Sequence, residues 1–144
     1  MAKIVESVEI KRPVDKVFAY TTDARNWVKW QPFPKAEQTS EGPVRVGTTF
    51  RGVIHMMGVN MKWTSTATEY ELNKKFGKNI FSGSITNEQH NTYESNTGGT
   101  KFTISYNMRI GGIMKLFSPM VISAVNKGLK KALLNLKSNL EVQA

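Results

Sequence analysis

The chain has 144 residues, 40% of them apolar, with 20 Lys and Arg against 11 Asp and Glu and a formal charge of +9. That length suits one ordinary domain spanning residues 1–144, and the dispersal of the apolar residues excludes a disordered chain and a membrane-spanning run of about 18 apolar residues. No cysteine is present, so disulfides, thiolate metal sites and cysteine nucleophiles are excluded together.

The first residues, Met1 to Ser7, hold no apolar run of signal-peptide length and meet Glu6 and Glu9 almost at once, so no export is expected and the cytoplasm is the expected compartment. Lys3 to Ile10 alternates as a strand, with Ile4, Val8 and Ile10 on one side, and Pro13 ends it. Proline at a first helical position with Asp15 in the first turn then starts a short helix, whose inward stripe is Val14, Val17, Phe18 and Thr21. Asp23 can cap a second short helix that carries Trp27 and Trp30 on one face, and Pro32 and Pro34 stop it.

From Lys35 to Ile110 no helical period survives, and the pattern is a strand meander. Phe50, Ile54 and Met56 share one parity with Gly52, Met57-Gly58-Val59-Asn60 offers a turn, and Met61 to Leu72 resumes an extended, threonine-rich pattern. Asn79 to Ser84 and Glu88 to Ser95 are two further short strands, and Asn96-Thr97-Gly98-Gly99 is a tight turn. Phe102, Ile104, Tyr106, Met108 and Ile110 then alternate with polar residues, which predicts a strand with one apolar face and one wet face. After Gly111-Gly112 the period becomes helical, with Met114, Phe117, Val121, Val125, Leu129, Ala132, Leu133, Leu136 and Leu140 on one stripe. Lys127, Lys130, Lys131 and Lys137 fall opposite; Ser118-Pro119 can begin the regular helix, and Gly128 is a place for it to bend.

An antiparallel sheet with one apolar face must cover that face, and only the last helix is long enough to do it. Gly52 and Gly83 read as bends that curve the sheet, and a straight helix cannot follow a curved sheet along its whole length. The reading is therefore an α+β fold: a curved antiparallel sheet of six to seven strands, two short N-terminal helices and a long C-terminal helix over an apolar cavity. The residues expected to meet a ligand there are Trp30, Phe50, Ile54, Met56, Trp63, Phe81, Ile104, Tyr106, Met108, Phe117, Val121 and Val125. Tyr106 is the one whose hydroxyl needs a partner or a ligand, and the methionines beside the 57–60 turn suit a gate over variable apolar shapes.

This order of elements resembles the helix-grip fold of the START-like superfamily. The opening Ile10-Lys11-Arg12-Pro13-Val14-Asp15-Lys16-Val17-Phe18 with Asp23 and Trp30, the turn Gly98-Gly99-Thr100-Lys101-Phe102-Thr103, and the ending Leu133-Leu134-Asn135-Leu136-Lys137 with Leu140-Glu141 are similar to the polyketide cyclase/dehydrase and lipid transport family within it. That resemblance implies either carriage of a lipid or other hydrophobic small molecule, or a ring-closing enzyme acting on an aromatic or polyketide-like substrate. Fold alone does not choose between them.

The residue chemistry favours binding without covalent chemistry. His55 and His90 are the only histidines, and neither has a second ligand at metal-binding spacing, so no metal and no cofactor is expected. The meander carboxylates Glu69, Glu71, Glu88 and Glu94 sit among polar residues that suggest the outer face; Glu69, which shares parity with Trp63, is the least poor candidate for an acid or base and is itself expected to be exposed. Lysines outnumber arginines fifteen to five, and no stretch gathers five basic residues, so nucleic acid is not the expected partner. A basic module docking on an anionic membrane, or on nucleic acid, through the lysine face of the last helix is the remaining alternative.

Overall fold

The computed structural model describes residues 2–142. Strand β1 (Ala2–Ile10) leads into α1 (Val14–Thr22) and α2 (Ala24–Trp30), followed by β2 (Lys35–Gln38), β3 (Thr49–Met56), β4 (Val59–Glu71), β5 (Lys75–Ser82), β6 (Ile85–Asn96) and β7 (Gly99–Ile110). A 3-10 segment, Gly112–Phe117, then joins the sheet to the long helix α3 (Ser118–Val142). The seven strands form one antiparallel sheet in the order β1-β7-β6-β5-β4-β3-β2, so the first strand closes onto the last and the meander runs outward from there.

The local chemistry explains most of these boundaries. Asp23 accepts a hydrogen bond from the Arg25 amide at 3.0 Å, which caps α2 and turns the chain sharply out of α1. Met57 and Gly58 both have positive φ, the backbone of a two-residue hairpin turn whose twist matches the flanking strands. The turn is thus shorter than expected, and Val59 and Asn60 already belong to β4. Gly83 lies in the β5–β6 turn with φ 56° rather than bending a strand. Gly52 is in a strand, where a Cβ would collide with the Lys35 carbonyl and the Trp63 indole; its missing side chain lets those groups close over β3.

The core lies between the concave face of the sheet and the helices, with Trp27, Phe50, Phe76, Phe102, Ile104 and Leu136 among its fully buried side chains. Helix α3 is fastened at its C-terminal half. Leu133, Leu136 and Leu140 are buried there, Lys137 Nζ donates to the Glu9 carbonyl at 2.6 Å, the Lys11 amide donates to the Glu141 carboxylate at 2.9 Å, and Asn139 donates to the Lys29 carbonyl at 3.0 Å. Lys127, Lys130 and Lys131 are exposed, as burial of an unpaired ammonium would require compensation that an outward position avoids. Among the described residues the N-terminal half makes no comparable hydrogen bonds to the sheet, and the space beneath the middle of the helix is where the cavity forms.

Candidate functional site

Between α3 and the sheet lies a cavity of about 270 Å³. Its roof is formed by Ala124, Val125, Gly128, Leu129 and Ala132. Ala124, Gly128 and Ala132 recur every four residues and so share one face of the helix, and their small side chains leave the gap open. The floor is the concave face of the sheet, with Ile54 and Met56 from β3, Met61 and Trp63 from β4, Lys78 and Ile80 from β5, Ile85, Asn87 and Gln89 from β6, and Tyr106 and Met108 from β7. Gln31, Pro32 and Phe33 close one side. Met57, at the tip of the β3–β4 hairpin, is both part of the lining and exposed, which puts the opening at that end of the sheet.

Of the residues expected to meet a ligand, Ile54, Met56, Trp63, Tyr106, Met108 and Val125 line this cavity. Trp30, Phe50, Ile104 and Val121 do not; they are buried in the solid core around it. Phe81 is 49% exposed because β5 runs from Lys75 and places Phe76, Lys78 and Ile80 on the inner face, so Phe81 points outward. Phe117 is 47% exposed because it ends the 3-10 segment rather than lying within the regular helix. Glu69 lies on the outer face, as its polar neighbours suggest, despite sharing sequence parity with Trp63. A bulge between Ala67 and Glu69 reverses the parity of β4, and Glu69 instead meets His90 Nδ1 at 2.8 Å on the outer side.

Of the polar part of the lining, Tyr106 was expected from sequence, whereas Lys78 and Gln89 were not. Strand register aligns Lys78 with Gln89, and Gln89 with Tyr106, giving a polar row across three adjacent strands in an otherwise apolar floor. Lys78 is 3% exposed and makes no hydrogen bond or ion pair to any described residue; its Nζ sits 3.8 Å from the centroid of Trp27, with Phe50 and Trp63 each at 5.8 Å. Removal from water pushes its pKa down to about 7, while the aromatic faces favour the charged form and oppose part of that shift. Burial pushes the Tyr106 phenol up, so it stays protonated and offers an O–H donor. Trp63 Nε1 and Asn87 Oδ1 are buried without hydrogen-bond partners among the described residues. The signal that could have exposed Lys78 is its place between Phe76 and Ile80 at strand spacing, which puts all three on one face.

Among the described residues, no three His, Cys, Asp or Glu side chains gather as a metal site, and no helix is long and apolar enough to cross a membrane. A broader depression of about 820 Å³ lies outside the core between α1, β2 and the end of β4; it is bordered by Asp15, Asp23, Arg25 and Glu37 and does not reach the polar row.

A curved seven-stranded sheet gripping a long helix over an internal cavity defines a START-like helix-grip protein. Residues 1–141 match the family described as polyketide cyclase/dehydrase and lipid transport, and the chain belongs to that family. Similar solved structures include a protein from Thermus thermophilus, with 15% identity, a TM-score of 0.82 and 99% of each chain covered. The ZhuI aromatase/cyclase of a Streptomyces species has 14% identity and a TM-score of 0.79, covering 97% of this chain and 93% of its own. A Chromobacterium violaceum protein has 16% identity and a TM-score of 0.75, covering 98% and 99%. At these identities the likeness establishes the fold alone. No curated protein matches the sequence.

Proposed function

We propose that this protein binds a hydrophobic small molecule or lipid in the cavity between α3 and the sheet. The observation that carries the reading is a concave, mostly apolar space of about 270 Å³, open at one end, with a few polar groups in its lining, the usual anatomy of a small-molecule site. The family supports the same conclusion, since lipid transport is part of its description. Phenylnaphthylamine, an uncharged dye that brightens in apolar surroundings, is expected to bind saturably and to be displaced by decanoate or decanol. Linear, non-saturating uptake would remove this reading.

Cyclase chemistry on an aromatic or polyketide-like substrate is the second reading, supported by the family and by the likeness to ZhuI. The titratable groups available to it in the lining are Lys78, Tyr106 and His55, and no carboxylate is among them.

Ligand exchange at an anionic membrane surface is supported by the end of the sheet where the cavity opens. Ile113, Leu116, Phe117 and Met120 are exposed there, Leu116 by 79%, and Lys115 stands among them. The Gly111 amide donates to the Ser84 carbonyl at 3.0 Å, which ties this apolar segment to the β5–β6 turn beside the opening. Vesicle binding is expected to rise with anionic lipid, to fall with salt, and to weaken in Lys127→Gln/Lys131→Gln by about 1 kcal/mol per engaged lysine. Co-sedimentation with neutral and anionic vesicles at low and physiological salt tests this. Equal binding under all four conditions would reject membrane docking and leave the cavity reading untouched.

A further inference from the structure

We propose that the cavity takes a compact hydrophobic carboxylic acid, whose carboxylate pairs with the ammonium of Lys78; this rests on the hydrophobic-ligand reading above and names the chemistry of the occupant. Lys78 is the one charged side chain among the buried residues described, and it forms part of the cavity lining. An unpaired ammonium in an apolar interior costs several kcal/mol, so buried cations are ordinarily paired. Nothing among the described residues pairs this one. Its surroundings from β3 are Phe50, from β4 Trp63, from β6 Gln89 and from α2 Trp27, while the titratable groups elsewhere in the lining are Tyr106 on β7 and His55 on β3. Helix α3 contributes only uncharged residues.

The geometry also specifies what kind of anion fits. A single buried cation is neutralised by a single negative charge, and a monocarboxylate brings no excess charge into the apolar space. The Tyr106 hydroxyl, two strands away in the same row, has no partner among the described residues and can donate to a second acceptor on the ligand. Apart from this row and a few polar residues, among them Asn87, the lining is largely aliphatic, aromatic and thioether, and matches a mostly apolar body.

Binding then carries a proton signature. A carboxylate beside Nζ raises the lysine pKa above its value of about 7 in the empty protein. Below that pH the lysine is charged with or without ligand, and decanoate affinity is flat. Above it binding must take up a proton, and affinity falls by up to about tenfold per pH unit. Decanol, the uncharged analogue, lacks this dependence.

The test measures displacement of phenylnaphthylamine by decanoate and by decanol, from about pH 6 to pH 9, in wild type and in Lys78→Met, which keeps an unbranched side chain one atom shorter and removes its charge. Wild type is expected to prefer decanoate by about tenfold or more at the acidic end and to lose that preference as pH rises. Lys78→Met is expected to prefer decanol at every pH. Equal affinity for acid and alcohol in wild type, with no pH dependence, would overturn the proposal while leaving the cavity reading in place. If neither compound displaces the dye, the cavity reading falls and this proposal falls with it. Should Lys78→Met fail to fold, the wild-type pH profile decides alone.

Discussion

Lys78→Met is expected to stabilise the ligand-free protein at neutral pH by on the order of 3 kcal/mol. Lowering a lysine pKa from 10.5 to about 7 corresponds to roughly 5 kcal/mol of unfavourable burial when the group is protonated, at about 1.4 kcal/mol per pH unit. The stack on Trp27 returns about 1 to 2 kcal/mol of that, because a desolvated ammonium over an indole face is attracted to it. Methionine meets neither cost nor gain and fills the same space with a flexible apolar chain. The pH dependence gives the effect its signature. Between about pH 7 and 10.5 the unfolded chain holds a proton on Lys78 that the folded chain has released, so this residue's contribution to folding improves as pH rises and worsens as pH falls through that window. The advantage of Lys78→Met is therefore largest at and below neutrality and shrinks on the alkaline side. Urea unfolding of both proteins from about pH 6 to pH 9.5 measures it, and a variant less stable than wild type at neutral pH would refute the account. A residue that costs this much in the empty protein fits a binding site better than a scaffold, since functional sites retain groups that stability alone would remove.

Gly128→Leu is expected to abolish dye uptake while leaving the protein folded and slightly more stable. Gly128 sits in the middle of α3, and a Cβ placed on it meets no atom within 4 Å. Replacing a mid-helix glycine with a good helix former contributes about 1 kcal/mol, and the leucine side chain gains further by burying apolar surface against Met56, Trp63 and Tyr106 rather than against water. The same side chain occupies much of a cavity of about 270 Å³. Thermal unfolding followed by circular dichroism, paired with the phenylnaphthylamine titration, checks both halves. Wild-type affinity in the folded variant would show that the dye binds elsewhere.

Much of the architecture was legible because it is written in short-range periodicity. The alternation from Phe102 to Ile110 marks β7, the stripe from Val121 to Leu140 marks α3, and Asp23 marks the start of α2. Strand β5 was largely hidden. Lys74-Lys75 before Phe76, and Gly77-Lys78-Asn79 after it, carry the polar and glycine residues of a turn, and only pairing with β4 and β6 on both sides makes them a central strand. Glu69 reaches the outer face that its polar neighbours suggest although it shares sequence parity with Trp63, because a bulge, a single inserted residue that parity does not announce, lies between Ala67 and Glu69.

The kinds of elements, their order, the apolar face of the sheet and the stripe of helix that must cover it follow from local sequence, because each depends on neighbours within a few positions. Which apolar residues border empty space and which fill the core emerges only when the chain packs. Packing brought the small residues Ala124, Gly128 and Ala132 over the polar row Lys78, Gln89 and Tyr106, and it closed Trp27, Phe50 and Trp63 around a lysine that reads in sequence as an ordinary solvated charge. The physical reason is that burial and charge pairing belong to the three-dimensional surroundings of a group, and those surroundings here are drawn from α2, α3 and five strands at once.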